Sequence, residues 1–411
     1  MVVFNRVFNR CAAREQATVF TFQQIHSPYY CYYYKNISEV CIVRIVCAKS
    51  ILVENINIVS RAVNSRATMP ILECCLLTAS DDGFKIMAND MEMVIETKEI
   101  EADILGNGSV ALDSRVFFDI VRRLPGNEVE IHVDDKNLTL IKSGKSEFKI
   151  LGINADEFPA LPQVDMDDAF SLPSLELKNM IRQTIFSVSQ DISKPVLCGE
   201  LLEINDDCTK LVSVDGFRLS LRKHDFDNGG KTAKIVIPGK TLNEIGKILS
   251  ADVDSVTYFY ISDKHILFNL DNCIVVSRLI EGEFINYEQM FVKEAETLVN
   301  VDRTDLLECI ERATLISKDS KKSPVKLKLE EGRIVVTSNS EMGTSYEEVA
   351  VEQDGHDLEI GFNPRFLTDV LKALDYERIT MGFTTSLSPC IIMVEGSEDY
   401  KYLVVPLRLR N

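Results

Sequence analysis

Two aspartates and five histidines are the residues from which a reaction would first be built. Paired carboxylates can hold two metal ions for phosphoryl transfer if they converge within about 4 Å of the metals. Asp90 and Asp215 do not fit that requirement, because they occupy the same place in two similar stretches 125 residues apart. They belong to separate units and are expected to close turns, as in Asp215-Gly216. The histidines (His26, His132, His224, His265, His356) are scattered, with no two at helical spacing for a shared ligand. None of the strings HExxH, GxSxG, Walker A or GxGxxG occurs. Eleven cysteines contain no CxxC pair, which reads as reduced, buried thiols in a cytosolic protein. The expectation is a protein with no catalytic residue, no metal and no cofactor. A metal-dependent nuclease or polymerase and a peptide-binding scaffold that ignores DNA remain as alternatives.

A second kind of chemistry is non-directional charge. Arg115 and Arg122, Lys240 and Lys247, and Arg365 and Lys372 are pairs seven residues apart. Seven residues is close to two helical turns, so each pair shares one face. Phe117, Ile120 and Leu124 and their equivalents supply the opposite, apolar face. Arg61, Lys178, Arg182 and Arg312 add to this on other helix-like stretches. A basic stripe that recurs three times could hold phosphates without reading sequence. No base-reading element accompanies it.

These pairs sit in a repeat. Leu112–Leu124, Ile237–Leu249 and Phe362–Leu374 align without gaps at an offset of 125. Pro70-Ile71-Leu72 matches Pro195-Val196-Leu197, whereas the third copy, Pro324-Val325, drifts by four. Earlier in each unit lies another helical stretch: Leu52, Ile56 and Val59; Leu177, Ile181 and Ile185; Leu306, Ile310 and Ala313. Alternating runs such as Val129–Val133, Asn137–Ile141 and Glu147–Ile150, with Asp-Asp-Gly turns, read as hairpin strands. Each unit of about 120 residues is therefore an α+β domain with two helices and antiparallel sheets. The expected domains span 43–163, 170–293 and 296–411.

The first 42 residues stand apart. They carry five of the 12 tyrosines and show no sustained periodicity. They read as a segment without its own fold or as an over-long start ahead of Val43, rather than as a targeting segment. The chain of 411 residues has a formal charge of −18. That balance argues against a protein basic all over, but not against one basic face. No apolar run is long enough to cross a bilayer.

Several stretches together resemble the bacterial sliding clamp family, the beta subunit of the replicative DNA polymerase. They are Val43–Ser50, Ser60–Leu72, Val214–Leu219, Val236–Pro238, Leu279–Phe284 and Val404–Leu409. The resemblance implies a clamp fold that closes as a head-to-tail homodimeric ring around duplex DNA and works as a processivity factor in the bacterial cytoplasm, on the nucleoid. It implies that Arg66 and the helix stripes face DNA. It implies a groove for linear peptides of the polymerase alpha subunit, the clamp loader, other polymerases and mismatch-repair proteins. Leu197, Val214, Gly216, Phe217, Arg218, Leu219, Pro238 and Leu242 would wall this groove, completed by Val404, Val405, Pro406, Leu407, Arg408 and Leu409. Phe148 and Ile150 of one copy would meet Leu315 and Ile316 of the other. Two departures from the family pattern bear on the groove. Arg410 and Asn411 extend past the closing motif, and Ile285 and Val292 stand where the family has prolines.

Overall fold

Runs of alternating burial pair with their neighbours along the whole chain, and each domain opens with a strand that feeds directly into a helix. The computed structural model describes residues 41–64, 69–291, 294–317 and 324–409. The expectation about the first 42 residues therefore falls almost entirely outside them, as do those about Arg66, Val292, Arg410 and Asn411. Among the described residues are six α-helices: α1 (Lys49–Val59), α2 (Ser114–Arg123), α3 (Ser174–Thr184), α4 (Gly239–Ile248), α5 (Arg303–Ala313) and α6 (Pro364–Ala373). They pack as α1 on α2, α3 on α4 and α5 on α6.

Local chemistry sets where these helices begin. The Asp113 carboxylate accepts from the Val116 amide, Asp302 from Thr304 and Asp305, and Asn363 from Arg365. Each satisfies amides that the first turn would leave orphaned. Pro364 at the first position of α6 has no amide to lose. The buried stripe of α2 is Phe117, Phe118 and Val121, with Leu124 just beyond its end; Ile120, expected within it, is only half-buried.

Among the described residues the strands form three antiparallel sheets. The first has five strands, ordered Ala102–Gly106, Cys41–Ala48, Glu128–Asp134, Leu138–Ser143 and Ser146–Leu151. The second has eight: Ala169–Pro173, Val256–Ile261, His265–Asn269 and Cys273–Arg278 from the second domain, then Met93–Thr97, Gly83–Asn89, Cys74–Ser80 and Gly108–Asp113 from the first. The third has twelve, and it crosses from the second domain into the third where Arg218–Asp225 pairs with Ser397–Val404. Domains are thus joined by backbone hydrogen bonds, with Met93 opposite Ser277 at one junction and Arg218 opposite Val404 at the other.

The repeat holds in this register. Cys75 pairs with Ala88 and Val325 with Ser338, and both lie at multiples of 125 from the pairing of Leu201 with Val212 shifted by one rung. The drift read at Pro324-Val325 therefore stops at the strand. The strands Val325–Glu330, Arg333–Ser340 and Leu358–Phe362 keep the period, while Thr297–Asp302 and α5 lie 129 residues after their counterparts, counted at their junction, so the extra residues sit ahead of Thr297–Asp302 and are taken back between α5 and Val325.

Candidate functional site

The turn Asp215-Gly216-Phe217-Arg218 lies at the junction of the second and third domains. Asp215 Oδ1 accepts from the amides of Phe217 and Arg218 at 2.9 and 3.0 Å. Gly216 has φ +91°, a conformation that side chains disfavour. Around the turn, Leu201, Val214, Leu219, Phe284, Tyr287 and Leu403 are buried together. Val196, Leu197, Ile280, Ile285, Phe291 and Val405 pack on them half-buried and form the accessible apolar floor. Phe217 stands exposed at its edge and stacks on Phe366 at 6.2 Å, while its carbonyl accepts from the Val405 amide at 2.8 Å. A cleft of about 1670 Å³ opens beside the same turn, lined by Phe186, Phe217, Arg218 and residues of α5 and α6.

Of the expected groove residues, Leu197, Val214, Gly216, Phe217, Leu219 and Val405 come together. Three do not behave as expected. Leu242 points from α4 into the main core of the first two domains, 1 % exposed. Pro238 pairs opposite Gly199 and precedes α4. Val404 is buried in the core of the third domain. Pro406 and Leu409 are half-buried and Leu407 and Arg408 exposed, with the Leu407 amide donating to Gly361 at 2.7 Å. Sequence reading missed Val196, Ile280, Phe284, Tyr287 and Phe291. Ile285 had been noted only as a departure. The signal was present in the stretch Leu279–Phe284, whose apolar residues recur where a junction must be filled.

Arg218, expected in the wall of the groove, spends three of its donors within the chain. Its Nε meets Asp215 Oδ2 at 3.0 Å, Nη1 meets Asp369 Oδ2 at 2.6 Å, and Nη2 donates to the Phe186 carbonyl. The guanidinium lies against the rings of Phe186 and Phe366, at 5.3 and 4.6 Å. At 7 % exposure it is a tie between domains.

The basic residues divide by their partners. Arg115, Arg122 and Arg365 are exposed; Arg122 donates to Asn57 Oδ1 at 2.8 Å, and Arg365 Nε lies 3.7 Å from Asp369 Oδ2. Lys240 pairs with Asp90, Lys247 and Arg61 with Glu244, and Lys372 with Glu311. Arg312 pairs with Glu308 and Glu347. Lys178 is half-buried and donates to the Leu249 carbonyl, past the end of α4, at 2.9 Å. Arg182 donates to the Ala373 carbonyl at 2.9 Å and pairs with Asp375, which ties α3 to the end of α6. Both cations sit where helix carbonyls are orphaned and the dipole is negative. Lys178 and Arg182 thus have structural partners that the spacing of charges alone did not reveal.

Two exposed apolar patches stand at opposite parts of the described residues. On the strand Ser146–Leu151, Phe148 is 43 % and Leu151 74 % exposed, and Ile150 packs partly on the core. At the far end of the third domain, Leu315, Met342 and Tyr346 are 56, 78 and 62 % exposed, with Ile316 half-buried.

Asp90 and Asp215 close turns as expected. Asp90 Oδ1 accepts from Glu92 and Met93, and its Oδ2 meets Lys240 Nζ at 2.5 Å. Among the described residues no three His, Cys, Asp or Glu side chains are grouped to hold a metal ion. Burial pushes the Cys47 thiol up to about 12, far from a reactive thiolate. Among the same residues, no helix is long and apolar enough to cross a membrane.

Comparison with known proteins agrees with this architecture. The DNA polymerase III beta subunit N-terminal, central and C-terminal domains match residues 43–162, 171–286 and 288–408. A beta sliding clamp of Halalkalibacterium halodurans is 36 % identical over 376 residues, 88 % of this chain and 99 % of the relative. That of Bacillus subtilis is 35 % identical over 88 % of this chain and 98 % of its own length. The crystal structure of the Bacillus subtilis DNA polymerase sliding clamp superposes with a TM-score of 0.85 at 34 % identity, covering 90 % of this chain and all of that one. With its three domains matched in order along 43–408, the chain belongs to the DNA polymerase III beta subunit family.

Proposed function

We propose that the chain acts as a DNA sliding clamp: a processivity factor, without catalysis of its own, that closes around duplex DNA and keeps the replicative polymerase on its template. The observation that carries this reading is a pair of open strand stretches at the positions that, at both internal junctions, pair with the neighbouring domain. At each junction a strand starting at an equivalent position, Met93 or Arg218, pairs with a strand from the next domain. Gly343 is the third equivalent; its strand meets Thr297–Asp302 only through its far end, Val351–Asp354, and over Gly343–Ala350 it pairs with Arg333–Ser340 alone among the described residues. The complementary edge is Ser146–Leu151. One chain cannot join its own two ends through these strands if they lie at opposite ends of the domain series. A second copy can, and a head-to-tail contact that closes makes a ring.

The repeat also supplies the register. Ile153, Ile280 and Leu407 are 127 apart, and their amides donate to Ala111, Val236 and Gly361, which are 125 apart. Under those offsets Ile150 corresponds to Ser277 and Val404, so it pairs with Gly343 of the other copy. Phe148 then lies opposite Ser345, and Leu151 opposite Met342, which brings two of the most exposed apolar side chains together. Phe148 corresponds to Tyr402, and Leu315 to Phe186; within the chain those two rings stack at 6.1 Å. Phe148, Ile150, Leu315 and Ile316 are thereby the apolar centre of a homodimer contact.

Exposed Arg115, Arg122 and Arg365, with Arg66, would meet the phosphates, and the paired lysines would add a weaker field. The half-buried floor of Leu197, Ile285, Phe291 and Val405 suits one or two apolar anchors of a linear peptide. Its partners would be the polymerase alpha subunit, the clamp loader, other polymerases and mismatch-repair proteins, working in the bacterial cytoplasm at the nucleoid. The test is topological. Protein loaded on nicked circular DNA is retained through gel filtration and released when the circle is linearised. Equal retention on both forms would reject the clamp in favour of ordinary binding.

A further inference from the structure

The apolar floor at the second junction is only partly built on strands. Ile285 and Phe291 come from the linker 284–291, which belongs to none of the described sheets; its one regular turn is Glu288–Phe291. Two of its side chains are anchors, Phe284 at 6 % and Tyr287 at 3 % exposure. A segment without a ladder takes its conformation from its side chains. What holds these anchors therefore decides where Ile285 and Phe291 sit.

Tyr287 packs with one cross-strand row of the second domain and reaches the next. Val236, Leu201 and Val212 lie side by side on three strands and are buried in the same cluster as the ring. Two residues along, on the same face, the row reads Lys234, Glu203 and Lys210. Glu203 meets Lys210 Nζ at 3.5 Å and Lys234 Nζ at 3.7 Å. The Tyr287 hydroxyl donates to Glu203 Oε2 at 3.2 Å, and Lys210 Nζ reaches on to Glu288 Oε1 at 3.3 Å. Burial, with the Glu203 and Glu288 carboxylates beside it, raises the pKa of the Tyr287 phenol, so the hydroxyl stays protonated and donates.

The first junction lacks this tie. Phe158 and Leu161 stand there 126 residues before Phe284 and Tyr287, and both pack on the apolar cluster of that junction. The row beneath carries Ser109, Thr78 and Lys85 in the places of Lys234, Glu203 and Lys210. It has no carboxylate, and Leu161 has no hydroxyl. The apolar anchors are thus common to both junctions, and the polar tie belongs to the one with the groove.

We propose that Tyr287, held by Glu203 and Lys210, is a positioning residue for the peptide groove: the tie sets the linker so that Ile285 and Phe291 are in place before a peptide arrives. This rests on the groove reading above. Affinity of the full chain for the purified polymerase alpha subunit of the same cell tests it. Tyr287→Phe removes only the hydroxyl and should weaken binding roughly tenfold. Glu203→Ala should weaken it as well, and adding Tyr287→Phe to it should cost nothing more, because both remove one tie. Glu203→Gln keeps an oxygen for the hydroxyl and should recover part of the loss. A hydroxyl that only stabilises the fold would lower the thermal midpoint of Tyr287→Phe and leave the affinity unchanged. That outcome overturns the proposal, as do losses that add in the double variant. A wild-type chain that does not bind the alpha subunit overturns the groove reading itself.

Discussion

Glu200 sits fully buried where the sibling domains carry Cys75 and Val325. One carboxyl oxygen accepts from Thr184 Oγ1 at 2.9 Å and the other has no partner. Burial raises its pKa from 4.5 to about 8, so the folded chain holds a proton that the unfolded chain releases. Stability is therefore greatest below pH 4.5 for this group, and falls as pH rises until the folded group itself ionises near 8. The slope for one proton is about 1.4 kcal/mol per pH unit. Glu200→Leu should raise the unfolding midpoint and flatten its decline between pH 5 and pH 8; an unchanged pH profile would count against the assignment. Arg218 makes a second prediction. Arg218→Ala leaves Asp215 and Asp369 without their shared cation and should cost about 3 kcal/mol, read as a lowered thermal midpoint. Neither effect was legible in the sequence. Arg218 was visible as part of a motif, but its carboxylate partner Asp369 lies 151 residues away. Charge spacing likewise counted Lys178 and Arg182 with the phosphate-holding charge, because the carbonyls they meet belong to another helix or lie just past it.

Elements were far more legible than partners. The offset of 125 located the second helix of every unit and the first helix of two, and apolar spacing located α5, because helix length and apolar spacing are local properties. The edge strand carrying Phe148 and Ile150 was expected and is present. Leu242 and Pro238 were assigned to the groove by resemblance, and a single strand-to-helix turn sends Leu242 into the core instead. The residues that do line the floor come from three separate stretches, whose meeting depends on the sheet that crosses the junction. Leu315→Ala with Ile316→Ala removes half of the apolar centre between copies and should yield monomer. Sedimentation that still finds a dimer at micromolar concentration would contradict that contact. Since both side chains lie at the exposed end of α5, the folded content seen by circular dichroism should not change.

At the scale of the whole molecule the net charge of −18 and the proposed grip on DNA are compatible, because binding depends on where the cations lie. Replacing Arg115, Arg122 and Arg365 by alanine should shorten retention on circular DNA equally for all sequences. The salt dependence should weaken by about one unit of slope per lost phosphate contact. A variant whose retention changes with sequence but not with salt would point to base reading instead. The sheets that run through the junctions also constrain how the protein is made. The edge Met93–Thr97 emerges from the ribosome long before Cys273–Arg278, the strand that covers it. At 5–20 residues per second the wait is roughly ten to forty seconds. The edge Arg218–Asp225 waits as long for Ser397–Val404, and an uncovered edge is an invitation to aggregate, so each of the first two domains, while nascent, is a stage at which this chain needs protection.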